Sequence, residues 1–188
     1  MIVIIDLDRT LIPFDTTLHA LKLVLLNQPK IHVFKNFIRG KKQFKNYLLN
    51  HVDWNIIEYP INLAVVNYIN VMKRGGHAIY LLSGSNQKIV DAISKRLNIF
   101  DKSIGSSQDH PNIKFKNKLI YIKQELSASN WIYVADAYRD VVVWREANTS
   151  ILVTNSRLKY YLISKLRVKD LRLIKIDSSQ ISLPNSEF

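Results

Sequence analysis

Cysteine is absent from the 188 residues. Nothing in this chain therefore depends on disulfides or thiolate chemistry, and a reducing compartment is compatible. A membrane span is missing as well. No apolar run approaches the roughly 18 residues that one needs, and the longest candidate, Leu18 to Leu26, is interrupted by Lys22. The opening MIVIID has neither the basic region nor the long apolar core of a signal peptide. The expected location is cytoplasmic. Internal repeats and low-complexity segments are also lacking.

Negative charge is missing from one long interval. No acidic residue lies between Asp15 and Asp53, where Lys22, Lys30, Lys35, Arg39, Lys41, Lys42 and Lys45 are found. A second basic run holds Arg157, Lys159, Lys165, Arg167, Lys169, Arg172 and Lys175, and the net charge is +12. An anionic partner or substrate is implied. Hydrophobic residues make up 47% of the chain. That is enough for a sizeable core, and the length suits one domain with a modest insertion.

The stretch Ile2 to Leu11, IVIIDLDRTL, organises what is present. Four apolar residues ending in acids read as a buried parallel strand. Asp6 and Asp8 stand two apart at its end and so face one spot. In open α/β sheets, ligands bind beyond the carboxyl ends of the strands. Two carboxylates about 4 Å apart repel by roughly 4 kcal/mol at an effective dielectric of about 20. One must take a proton or a cation must sit between them, and a hard cation such as magnesium suits oxygen ligands.

After this strand, helices are predicted over 16–27, with Leu18, Leu21, Leu25 and Leu26 at helical spacing, then over 31–39, 41–51 and 61–74. No strand is expected within this insertion. Apolar strands are predicted at 78–82, 103–106, 131–135, 150–153 and 171–176, alternating with helices over 86–98, from 113 or 114 to 126, through Asp140 and Trp144, and over 157–166. Asp109 to Pro111 reads as a turn, and the tail from Asp177 as loose. This alternation argues for a parallel α/β sheet. The expected division is an α/β core at 1–15 and 75–155, a helical cap at 16–74 and a basic extension at 156–188.

Three strands would end in polar residues at one edge: Asp6 and Asp8, Ser83, and Asp136. Asp140 lies one helical turn further on, and Lys114 opens the helix before the third of these strands. Such a set suits phosphoryl transfer through a carboxylate nucleophile, with a second carboxyl group as acid and base and a metal, hydroxyl and lysine holding the phosphoryl oxygens. The histidines have no metal spacing. Trp54, Trp131 and Trp144 read as packing, and Phe34, Phe37, Phe44 and Tyr47 as core by their helical spacing.

DLDRT at 6–10, LLSGS at 81–85, the lysine at 114 and ADAYRD at 135–140 resemble the four motifs of the haloacid dehalogenase superfamily. The resemblance implies a Rossmann-like three-layer fold with a small type-1 cap after the first strand. It also implies a magnesium-dependent phosphatase acting on a small phosphomonoester. Asp6 would be the nucleophile and Asp8 the general acid/base. Asp6, the Asp8 carbonyl and Asp136 would bind magnesium, with Asp140 supporting them. Ser83, Gly84 and Lys114 would bind phosphate. Lys114 matches best by register, and Lys118 is the alternative.

Glycine is usual in the family at Arg9, Ala135 and Phe115. Arg9 either points outward, adds a cation for an anionic substrate, or blocks the site. NIKFKNK at 112–118, ADAYRDVVVW at 135–144 and YPIN at 59–62 are similar to the phosphatase-like domain fused in front of UbiA-type membrane prenyltransferases. The chain is then a free-standing relative or a fragment. The competing reading is a non-catalytic module of the same fold whose basic cap and C-terminal run bind an anionic membrane or, second to that, nucleic acid.

Overall fold

A computed structural model describes residues 1–107, 113–176 and 178–182, without the side chains of residues 41, 42, 46, 178 and 182. The Asp109–Pro111 turn, His110 and most of the C-terminal tail lie outside the described residues. Strands β1 (Ile2–Ile5), β3 (Ala78–Asn86), β4 (Lys102–Ser106), β5 (Trp131–Ala135), β6 (Thr149–Val153) and β7 (Leu171–Ile174) form one sheet. Its order is β4-β3-β1-β5-β6-β7, and every pairing is parallel. The chain leaves β1 for β3 and β4, then returns to β5 on the other side of β1. This reversal makes the end of β1 a topological switch point, where a crevice opens.

Side chains alternate across the sheet. Val3 and Ile5 join Ile79, Leu81 and Val134 in the core on one face. That face is covered by α1 (Thr16–Asn27), α4 (Leu63–Arg74) and α5 (Gln87–Leu97), through Ala20, Val65, Ile69, Val90 and Ile93 among others. Ile4, Tyr133 and Leu152 point the other way, onto α6 (Lys116–Gln124), α7 (Val141–Trp144) and α8 (Arg157–Ser164). Asp6 continues the parity of Ile4 and so faces α6. All three tryptophans are buried.

The insertion after β1 holds α1, α2 (Lys30–Ile38) and α3 (Lys41–Asn50). Asp15 caps α1 by accepting from the Thr17 and Leu18 amides. Helix α4, grouped with this insertion by sequence, packs beside β3. Two expectations are corrected here. The stretch does contain a strand, β2 (Ile61–Asn62), which pairs antiparallel with β8 (Ile181–Ser182). Asn62 then caps α4 by accepting from the Ala64 amide. The α1 leucines are also not its fully buried face, and of the four at helical spacing only Leu21 packs against the core. Thr16, Ala20 and Val24 are buried, whereas Leu18, Leu25 and Leu26 are exposed. Among the described residues, no helix is long and apolar enough to cross a membrane.

Candidate active site

The segment after β1 folds tightly around one carbonyl. Leu7 O accepts from the amides of Thr10, Leu11 and Ile12, and Asp6 N donates to Val134 O of β5. Arg9 lies between the two anchored ends with φ +58. This left-handed conformation explains why glycine would be at ease there. Arg9 itself is exposed, and its charge acts on Asp136.

Asp6 is buried, and its Oδ1 accepts from Lys118 Nζ at 2.8 Å. The same ammonium donates to Tyr133 Oη at 2.7 Å and lies 3.6 Å from Asp140 Oδ1. Burial pushes the Asp6 carboxyl up to about 7, even though Lys118 pulls the other way. Burial also opposes the charge on Lys118, but Asp140 and Asp6 outweigh it and hold the ammonium above its usual range. Burial, with Asp140 and Asp6 beside it, keeps the Tyr133 phenol protonated.

The lysine on Asp6 is thus Lys118, the alternative by register, and not Lys114. The cause is local. The helix begins at Lys116, two or three residues later than its pattern indicates, because Phe115 takes φ +51 and breaks the chain direction. In this shifted frame Lys118 turns inward, and Lys114 is left half-buried across Gly84. A Cβ on Gly84 would lie 2.5 Å from Lys114 Cγ and 3.0 Å from Ile113 O. Glycine is what lets that segment pass.

Asp8 is held separately. Its Oδ1 accepts from the Thr16 amide at 2.9 Å and its Oδ2 from Ser85 Oγ at 2.8 Å. The Ser85 and Thr16 hydroxyls also share a 2.8 Å hydrogen bond. Burial raises the Asp8 pKa against the pull of these donors. Spacing alone put Asp6 and Asp8 on one spot. They are neighbours that feel each other's charge, yet they have different partners.

Ser83 is buried, and its Oγ accepts from the Ser85 amide at 3.1 Å. It lies where β3 slips register against β4, between Leu82 and Asn86. Such irregularities re-aim side chains next to sites. Asp136, just past β5, is met by Lys159 Nζ at 3.2 Å, while burial raises its pKa. Asp140 is buried next to Lys118.

Four contributors were missed from sequence: Thr16, Ser85, Tyr133 and Lys159. Only Ser85 carried a signal, as the second serine of SGS. The others reach the site through tertiary packing.

The site thus gathers four carboxylates, Asp6, Asp8, Asp136 and Asp140, against two ammonium groups on them, Lys118 and Lys159. The donors in this set are all oxygens. That fits a hard divalent cation better than a soft one. Among the described residues, no three His, Cys, Asp or Glu side chains form a ready metal cage. A separate cleft of about 580 Å³ runs between the end of α3 and Lys88, lined by His51, Asp53 and Trp54 among others. None of the motif residues lines it.

No family model matches the chain. It is 28% identical over 152 residues to an uncharacterized protein of Sinorhizobium fredii, covering 80% of the chain and 29% of that relative. The chain therefore spans under a third of that relative's length. Among solved structures, it is similar to a haloacid dehalogenase-family hydrolase from Salmonella enterica serovar Typhi, with TM-score 0.62, 15% identity and coverage of 93% and 68% of the two chains. A phosphoserine phosphatase with a phospho-aspartyl intermediate analogue superposes at TM-score 0.57 and 15% identity, over 94% of both chains. A phosphoserine phosphohydrolase-like protein from Francisella tularensis gives TM-score 0.58 and 16% identity, over 91% and 94%. The fold is that of these hydrolases: a Rossmann-type α/β sheet with helices on both faces.

Proposed function

We propose that this chain, sharing its fold with haloacid dehalogenase-type hydrolases, is a magnesium-dependent phosphatase of that superfamily. It would hydrolyse a small phosphomonoester through an aspartyl-phosphate on Asp6. The observation that carries this reading is the Lys118–Asp6 pair at 2.8 Å, set beside an Asp8 that is anchored independently.

Lys118 fixes Asp6 Oδ1 and leaves Oδ2 free to attack phosphorus. As that bond forms, the ester P–O bond breaks, and the departing oxygen needs a proton. Asp8, with its pKa raised by burial, is suited to hold one and give it up. Water then attacks the phosphorus of the aspartyl-phosphate. Asp8 takes its proton, the Asp6–phosphate bond breaks, and inorganic phosphate leaves. Ser83 and Lys118 would steady the phosphoryl oxygens. Lys114, half-buried beside Gly84, would meet the rest of the substrate. Asp6, Asp136 and the Asp8 carbonyl would hold magnesium, whose charge would offset the carboxylates and the phosphate.

The test is hydrolysis of p-nitrophenyl phosphate with magnesium, with a chelator, and in Asp6→Asn. Turnover should require magnesium and vanish in Asp6→Asn. Absence of both turnover and magnesium binding in the wild type would overturn the reading.

A further inference from the structure

Helix α2 is built the wrong way round for a core helix. Its apolar stripe at i, i+3 and i+7 is Ile31, Phe34 and Ile38, with Phe37 alongside. These residues are 67%, 60%, 67% and 63% exposed. Only Val33 of this helix is buried. The preceding helix repeats the pattern, with Leu18 and Leu26 exposed at 58% and 72%. The two helices pack against each other, and large apolar side chains left exposed together on neighbouring helices mark an interaction surface. The exposed residues among them include Lys22, Lys30, Lys35 and Arg39, and no acidic residue occurs from 16 to 52.

We propose that α1 and α2 dock the protein onto an anionic lipid bilayer surface. Aliphatic and aromatic tips rimmed by lysines are what the boundary between headgroups and acyl chains accepts. The tips enter the acyl region, and the long basic side chains reach back to the headgroups. Charge decides among the occupants. A second copy of this chain would bring the same cations against these. Single-stranded nucleic acid would suit the lysines and Phe34 but gives Leu26, Ile31 and Ile38 nothing to stack on. An anionic bilayer satisfies both halves of the surface. The inference is independent of the phosphatase reading.

The test is flotation of the full chain with vesicles of phosphatidylcholine alone or with about one third phosphatidylserine, at low and high salt. Binding should require phosphatidylserine and weaken as salt rises. Lys30→Glu/Lys35→Glu should weaken it by more than tenfold. Phe34→Ser/Ile38→Ser, which leaves the charge unchanged, should also weaken it at least tenfold. Circular dichroism should show both variants folded. Three results would each overturn the proposal: no binding to acidic vesicles, binding that Phe34→Ser/Ile38→Ser leaves unchanged, or self-association in sedimentation that this variant disperses.

Discussion

Lys159 Nζ reaches 3.2 Å from Asp136 Oδ2. The lysine comes from the first turn of α8, where Ser156 Oγ accepts from its amide. The carboxylate stands just beyond β5, at the position proposed to bind magnesium. One internal cation therefore sits where the proposed function requires another.

A divalent ion entering this site must compete with that ammonium. Removing one positive charge a few ångström away should strengthen cation binding, since such a pair interacts by several kcal/mol at an effective dielectric of about 20. Solvent screening at the half-exposed lysine reduces the expected gain to about tenfold. Electron paramagnetic resonance of Mn²⁺ titrated into Lys159→Met and wild type reads this directly. Equal or weaker binding by the variant would exclude competition.

Lys118 and Lys114 should separate sharply. Lys118→Ala leaves Asp6 and Asp140 buried without their shared cation. It should lower turnover of p-nitrophenyl phosphate by about 10²–10³. It should also cost about 3–5 kcal/mol of stability, which for a chain of this size is roughly 10 °C in melting temperature. Lys114→Ala should change turnover by less than tenfold. Reversed sensitivities would return the phosphate-steadying role to Lys114.

Asp6 offers a pH signature. Its pKa rises from the ordinary 3.8 to about 7 on folding, chiefly through burial. Between those values the folded metal-free protein holds a proton that the unfolded chain releases. The contribution is fully present below about pH 4 and is lost as pH rises through 7. Measured with a chelator present, the stability of wild type relative to Asp6→Asn should fall across that window. The slope should approach about 1.4 kcal/mol per pH unit and level off above it. A flat difference from pH 4 to 7 would contradict the assignment.

Arg9→Gly should stabilise the protein. A left-handed conformation at a non-glycine residue stores about 1 kcal/mol or more, and Arg9 holds one at φ +58. Its side chain is exposed, so little packing is lost. The melting temperature should rise by about 2–4 °C in calorimetry. A fall would mean that the guanidinium's attraction to Asp136 outweighs the backbone strain.

Ser85→Ala should impair catalysis more than stability. The hydroxyl donates to Asp8 Oδ2 and is bonded to Thr16, so its loss frees one oxygen of the proposed acid/base. About a tenfold drop in turnover, with the basic limb of the pH profile shifted upward, is expected, because a donor to the carboxylate has been removed. An unchanged profile would remove Ser85 from the site.

Local sequence was enough for much of this molecule. Short apolar runs ending in acids and serines, separated by helical periodicity, specify a parallel sheet because a strand buried on both faces must be apolar along its length. They also place Asp6, Asp8 and Asp136 beyond strand ends, since β-strands cannot easily bury charge before they finish, whereas Ser83 lies inside β3, which runs on to Asn86. Other features were decided by tertiary structure. Which lysine meets Asp6 depended on a positive φ at Phe115, two residues of helix start that periodicity cannot resolve. Tyr133, Thr16 and Lys159 enter the site only when β5, α1 and α8 pack together. β2 is paired with residues more than a hundred positions away, so its two residues carry no signal of their own. The direction of the cap helices was decided in the same way. Spacing shows that Leu18, Phe34 and Phe37 share faces with other apolar residues. Only the neighbours a helix finally acquires determine whether such a face is covered, and around α2 only Val33 found a place in the core.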